Sequence, residues 1–153
     1  MRAIEAIHRS AVGIGPEHTV REAAEVMERS GIGSLAVIDG RELVGVVTDR
    51  DLVRRVLARG LALDSRVDNV MTSPAVTIDA DADVSVAFAM FRSHGLRRLF
   101  VVRRGEVQGV IAIDDLLVMV AAQLGDLCSP ITAESQFAHR DSQVPATTAG
   151  PSS

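Results

Sequence analysis

Apolar and polar positions along the chain run through one pattern twice. Val12 to Ile14 is a short apolar run that reads as a strand and is closed by Pro16 and Glu17. Thr19 then opens a helix, with Glu22 three residues on in the capping-box spacing. Val20, Ala23, Ala24 and Met27 fall at i, i+3, i+4 and i+7, which gives this helix one apolar face. Gly31 stands where a helix-ending glycine belongs. Leu35 to Ile38 is a strand, Asp39-Gly40 a hairpin signal, and Leu43 to Val47 the returning strand. The spacing predicts a second helix from Asp49 to Leu57, with Leu52, Val53 and Val56 facing inward.

The second pass repeats the first at a constant offset of 64 positions: Val12, Gly31, Leu35, Val37, Gly45, Asp51 and Val56 fall on Val76, Gly95, Leu99, Val101, Gly109, Asp115 and Val120. Asp83 takes the cap, Val84, Ala87, Phe88 and Phe91 the helix face, and Leu99 to Val102 and Val107 to Ile111 a hairpin turning at Arg104-Gly105. A closing helix covers Ile113 to Ala122. The fold class is therefore α+β: tandem β-α-β-β-α units at 4–60 and 69–124, joined by a linker at 61–68. A unit of roughly 55 residues buries little surface alone, so two units sharing a core are expected. Residues 125–153 lose the periodicity and turn rich in Ser, Thr, Ala and Pro, which reads as a disordered tail with Phe137 as its one docking-type side chain.

Composition narrows the partners. The net charge is −4 and no basic stripe is present, which disfavours a duplex nucleic-acid reader. Four Phe are the only aromatics, too few for a single-strand stacking platform. No run approaches the roughly 20 apolar residues of a membrane span, and MRAIEAIHRS lacks the apolar core of a signal peptide. Cys128 is the one cysteine and has no neighbouring His, so it reads as incidental and the setting as a reducing cytoplasm. His8 and His18 show no metal-ligand spacing, and Gly13-x-Gly15 lacks the third glycine of a dinucleotide fingerprint.

Each returning strand ends in a glycine-led motif, Gly45-Val-Val-Thr48-Asp-Arg-Asp51 and Gly109-Val-Ile-Ala112-Ile-Asp-Asp115. A strand-to-helix junction offers free N–H groups and a positive dipole end for a phosphate. Thr48 adds a hydroxyl, and Asp51 presents acceptors that could hold the two hydroxyls of a ribose. Arg50 could reach a phosphate or stand as a solvated helix residue. Thr48-x-x-Asp51 also has near capping-box spacing and could simply start a helix. In the second copy Ala112 cannot cap, yet an acid remains at Asp115, which is better explained by something outside the backbone than by a helix cap.

These motifs, Val70-Met71-Thr72 and the segment Gly95-Leu-Arg-Arg-Leu-Phe-Val-Val102 resemble the CBS-domain family in its tandem arrangement, the Bateman module. The resemblance implies two CBS units packed sheet to sheet with pseudo-twofold symmetry, and two clefts that in many members take AMP, ADP, ATP or S-adenosylmethionine as a regulatory ligand rather than a cofactor. It would place Asp51 and Asp115 on riboses, Thr48 on a phosphate and Arg97 or Arg98 as its counter-ion. The segments Val12 to Ile14 and Val76 to Ile78 would read the adenine edge, with their side chains, among them Val12, Ile14, Val76 and Ile78, sandwiching the ring. Two departures, Ala112 in place of Thr or Ser and Gly33-Ser34 against Arg97-Arg98, imply unequal sites.

The expected function is a stand-alone regulatory module that binds an adenosine compound and signals to an unknown protein partner in trans; the alternative is a ligand-free structural or interaction scaffold. No nucleophile with a base, metal cluster or Lys-bearing phosphate loop suggests an enzyme. A homodimer through Leu52, Val56, Leu116, Met119 and Val120 is expected from the apolar second helices.

Overall fold

The computed structural model describes residues 1–138, which fall into two compact units, Met1–Leu116 and Leu117 onward. Within the first, β1 (Gly13–Ile14), α1 (Val20–Ser30), β2 (Ser34–Asp39), β3 (Glu42–Thr48) and α2 (Asp49–Asp51, continuing as a π-helical stretch over Leu52–Leu57) make the first repeat. β4 (Thr77–Asp79), α3 (Val84–His94), β5 (Arg98–Arg103), β6 (Glu106–Ala112) and the start of α4 (Ile113–Ala138) make the second. The architecture is two tandem β-α-β-β-α units, each carrying a three-stranded sheet, ordered β1-β2-β3 and β4-β5-β6. In both sheets the first pair is parallel and the second antiparallel. Both hairpins carry a register irregularity, at Val37/Ile38 and at Val101/Val102, which are the same position of the repeat.

Helix ends form where the side chains dictate. Thr19 Oγ1 accepts from the Glu22 N–H while Glu22 reaches back to the Thr19 N–H, and Gly31 closes α1 in the left-handed region. Asp83 accepts from the Ser85 N–H and Gly95 ends α3 in the same way. The first hairpin turns one residue later than expected, through Gly40-Arg41, since Asp39 pairs with Glu42.

α1 buries Val20, Ala23 and Met27 against Leu35, Val37, Val47 and Val56. The residues joining the repeats complete this core: a 3-10 turn at Val67–Asn69 buries Val67, and Val70 is buried beside it. The matching turn for the second repeat is the N-terminal Ala3–Ala6, whose Ala3 and Ile4 N–H groups donate to the Ala82 and Ala80 carbonyls. Each repeat is thus finished by a segment that precedes the other. The two sheets meet through Ala36, Phe100 and Val110, where the large Phe100 and small Ala36 hold equivalent positions of the repeat. Arg41 and Glu106 tie the hairpins at 2.9 Å.

Several facings differ from the pattern. Val53 points outward, 55% exposed, because in the π-helical stretch the N–H of residue i+5 donates to the carbonyl of residue i (Ala58 N–H to Val53 O), which shifts the helical phase away from the expected face. Ala24 is exposed and Phe88 sits at the rim of its helix face. Val56 and Leu116, expected at a dimer surface, are buried inside the first unit. In the second unit α4 runs on to Ala138, so 125–138 is helical where a disordered tail was expected. Gly125 does not end it, since it lacks the positive φ found at Gly31 and Gly95, and the preceding run of Leu, Met, Ala and Gln favours helix. Residues 139–153 of the expected tail lie outside the described residues, as does the side chain of Phe137.

Candidate functional site

The G-h-h-T-x-x-D glycines have a packing role. Beside Gly45 the segment Met71-Thr72 crosses β3, exchanging two backbone hydrogen bonds with Val46, Val46 N–H to Thr72 O at 3.0 Å and Thr72 N–H to Val46 O at 2.8 Å. A Cβ at Gly45 would stand 2.6 Å from Met71 Sδ and 3.0 Å from the Thr72 carbonyl. Beside Gly109 the segment Ile7–Arg9 crosses β6, with Val110 N–H donating to Arg9 O at 3.0 Å. Glycine at these two places lets another backbone approach.

β3 delivers Thr48 to the start of α2, and the capping box forms. Asp51 N–H donates to Thr48 Oγ1 at 3.1 Å, and Thr48 N–H donates to Asp51 Oδ2 at 2.9 Å. An ionised carboxylate has about four lone-pair sites, so the cap leaves Asp51 capacity toward the cavity. Its Oδ1 lies 3.8 Å from Arg55 Nε, one turn along the helix. Arg55 also donates to the Val70 and Met71 carbonyls at 2.8 and 2.9 Å, fixing the crossing segment over the motif. Sequence reasoning missed Arg55; the Asp51–Arg55 spacing was its only local signal.

A cavity of about 360 Å³ opens beside this motif. Thr48, Arg50 and Asp51 line it from the first repeat, and Val76, Arg97 and Arg98 from the second. Val46, Leu96, Ala75 and Phe100 give it an apolar wall. Arg97 is drawn to Asp114 at 3.1 Å in the open, while among the described residues Arg50 and Arg98 make no side-chain ion pair. Gly33 borders the cavity because the Asp49 carboxylate fills the space a side chain would need; a Cβ there would stand 2.5 Å from Asp49 Oδ2. At the corresponding places the second repeat has Arg97 and Ile113.

The remaining expected residues lie elsewhere. Ile14 and Ile78 are 8% and 2% exposed, so their side chains belong to the cores, and neither lines the Thr48–Asp51 cavity. Val12 packs against the first core. Ile14 also borders a wider, more open hollow of about 580 Å³ that contains none of the motif residues.

Asp115, expected at a ribose, is paired within the protein. Arg9 Nε donates to Asp115 Oδ2 at 3.0 Å and Arg9 Nη2 to Oδ1 at 3.2 Å, a two-pronged pair. The hydrogen bonds from Arg9 hold the Asp115 carboxyl below its ordinary range, with the charges of Arg9, His8 and Arg98 acting in the same direction. Among the described residues no group of three or more His, Cys, Asp or Glu side chains is placed to hold a metal ion. No helix among them is long and apolar enough to cross a membrane.

Two repeats that pack sheet to sheet, finish one another's cores and open a cavity at a strand-to-helix junction define a paired-domain module. The chain belongs to the CBS domain family, whose model matches residues 3–58 and 67–122. It is 32% identical over 128 residues to the uncharacterized protein YlbB of Bacillus subtilis, covering 78% of this chain and 86% of that protein. Among solved structures it is similar to a CBS domain protein from Pyrobaculum aerophilum complexed with AMP, at 30% identity and TM-score 0.69, covering 80% of this chain and 99% of that one. It is also similar to a hexameric CBS-CP12 protein from bloom-forming cyanobacteria, at 28% identity and TM-score 0.65, covering 76% and 69%.

Proposed function

We propose that the chain binds an adenine nucleotide in the Thr48–Asp51 cleft and passes its occupancy to a protein partner in trans. The observation that carries this reading is the convergence of Thr48, Arg50, Asp51, Arg97 and Arg98 on one cavity with an apolar wall. Val76 and Phe100 offer that wall to a base. Asp51 retains acceptors for ribose hydroxyls, and the guanidiniums match phosphate oxygens in charge and geometry. The AMP complex of the Pyrobaculum relative supports the same ligand class. A cytoplasmic setting belongs to this reading and rests on the lone Cys128.

Calorimetric titration with AMP, ADP, ATP and S-adenosylmethionine tests it, on the wild type, Arg98→Ala and Asp51→Asn. Binding of at least one ligand is expected, weakened in both variants. No heat from any ligand with folded protein refutes it. The second reading, a ligand-free scaffold, is favoured by one observation: Thr48 and Asp51 already satisfy each other as a helix cap.

We also infer a homodimer. Its expected surface is corrected to the side of α2 that carries Val53 and Leu57, 55% and 69% exposed, since Val56 and Leu116 are buried. The hexameric cyanobacterial relative supports self-association. Light scattering tests this: a monomeric wild type at micromolar concentration refutes it, and a dimer split by Val53→Asp/Leu57→Asp supports it.

A further inference from the structure

Asp115 is the repeat equivalent of Asp51, but its surroundings are different. Both carboxylate oxygens are engaged by one guanidinium, and that guanidinium comes from a segment 106 positions away. The segment is firmly held. Its carbonyl at Arg9 accepts from Val110 N–H, Ile7 packs over Gly109, and the preceding turn buries Ala3 and Ala6 against the second repeat. The backbone of Arg9 is therefore fixed at the motif while its side chain is 55% exposed and can swing.

The first repeat lacks such a device. The segment crossing β3 presents Thr72 and Ser73, and Ser73 Oγ donates to the Val44 carbonyl at 2.8 Å. The cation near Asp51 is Arg55, on the helix itself, at 3.8 Å and turned toward backbone carbonyls. Met119 takes the place of Arg55 in the second repeat. In one repeat the cation sits on the helix and clamps the crossing strand. In the other it sits on the crossing segment and clamps the helix acid.

We propose that Arg9 is a built-in occupant of the second-repeat position equivalent to the Thr48–Asp51 cleft, holding Asp115 in place of a ribose, so that the chain takes nucleotide at the Thr48–Asp51 cleft while the Asp115 position stays closed until Arg9 swings away. This inference rests on the nucleotide reading above. A ribose diol bonds both oxygens of a carboxylate; at Asp115 each oxygen already accepts from Arg9, which takes two of about four lone-pair sites and approaches two-pronged, as a diol would. Ala112 supplies no hydroxyl to compensate. Displacing Arg9 breaks two charge-assisted hydrogen bonds of a half-exposed, solvent-screened pair, a penalty that lowers affinity there by up to about tenfold. An Arg9 that instead assisted a phosphate would have the opposite effect when removed.

The test is calorimetric titration of AMP into the wild type, Arg9→Ala, Asp51→Asn and Asp51→Asn/Arg9→Ala. The wild type is expected to take one AMP per chain and Arg9→Ala a second one; the double variant keeps one, and Asp51→Asn alone binds AMP more weakly than the wild type. A wild type that takes two, or an Arg9→Ala protein with unchanged or weakened binding, overturns the inference and leaves the Thr48–Asp51 reading standing. If the wild type binds nothing and Arg9→Ala binds AMP, the inference stands and the first-cleft reading falls. If neither binds, both fall. Arg9→Gln, which keeps length and loses charge, repeats the comparison where Arg9→Ala lowers the melting temperature.

Discussion

Replacing Gly45 by Ala sets a local preference against a packing contact. Gly45 lies within β3 opposite Val37 and is buried. Glycine in a strand interior is less stable than alanine by about 0.5–1 kcal/mol, so propensity alone makes Gly45→Ala stabilising. Packing has the opposite sign. The new methyl would stand 2.6 Å from Met71 Sδ, which can swing, and 3.0 Å from the Thr72 carbonyl, which cannot move freely. That carbonyl accepts from Val46 N–H, and Thr72 N–H returns the bond. Overpacking of this kind costs about 1–3 kcal/mol, and each of the two hydrogen bonds that must stretch contributes about 1 kcal/mol. With the propensity gain subtracted, the net loss is about 2–4 kcal/mol. Urea unfolding measures it as a lower midpoint at unchanged slope, and thermal melting as a fall of about 2–4 °C per kcal/mol. A neutral or stabilised Gly45→Ala protein would refute the close crossing of Met71-Thr72 over β3.

Leu116 is fully buried and Leu117 is 57% exposed; Leu116→Ala should lose about 2–5 kcal/mol and Leu117→Ala under about 0.5 kcal/mol, and equal losses in urea would contradict the facing of α4. Thr48→Ala should lose about 0.5–2 kcal/mol without any ligand, through its cap alone, and an unchanged unfolding midpoint would mean that the Thr48–Asp51 box does not form in solution. The Asp115 carboxyl is held below its ordinary value first by the hydrogen bonds from Arg9. Its contribution to stability is therefore in place above the unfolded value of about 3.9 and is lost as pH falls through the lower folded value. Wild type and Arg9→Ala should differ in melting temperature at neutral pH and converge in acid; a gap of constant size down to about pH 2, below the usual carboxylate range, would sink this account.

What the sequence made legible was local or repeated. Thr19-x-x-Glu22, Gly31 and Gly95 announce helix ends because capping chemistry acts over three or four residues. The offset between Gly45 and Gly109 or Asp51 and Asp115 announces the repeat because identical folds constrain the same positions. The persistence of Asp115 without a cap was read toward a ribose, and nothing in the sequence pointed to Arg9, which lies far off and is connected to Asp115 by no periodic pattern. Arg55 was missed because its acceptors are backbone carbonyls, which have no sequence signature. The outward turn of Val53 was missed because an i to i+5 bond changes the phase that a regular helix assumes. Gly125 lies inside α4 because its backbone does not turn left-handed as Gly31 and Gly95 do.

The exchange of finishing segments also sets the order in which the fold can be completed. Residues 3–9 are synthesised well before their partners at 80–110, and they must wait, with Ala3, Ala6 and Ile7 uncovered, until β6 exists. The first repeat closes earlier, when Val67 to Thr72 arrive. Assembly on the ribosome therefore has two stages, and an early-made apolar segment stays exposed between them, at the interval when a chaperone or a second nascent copy would find it.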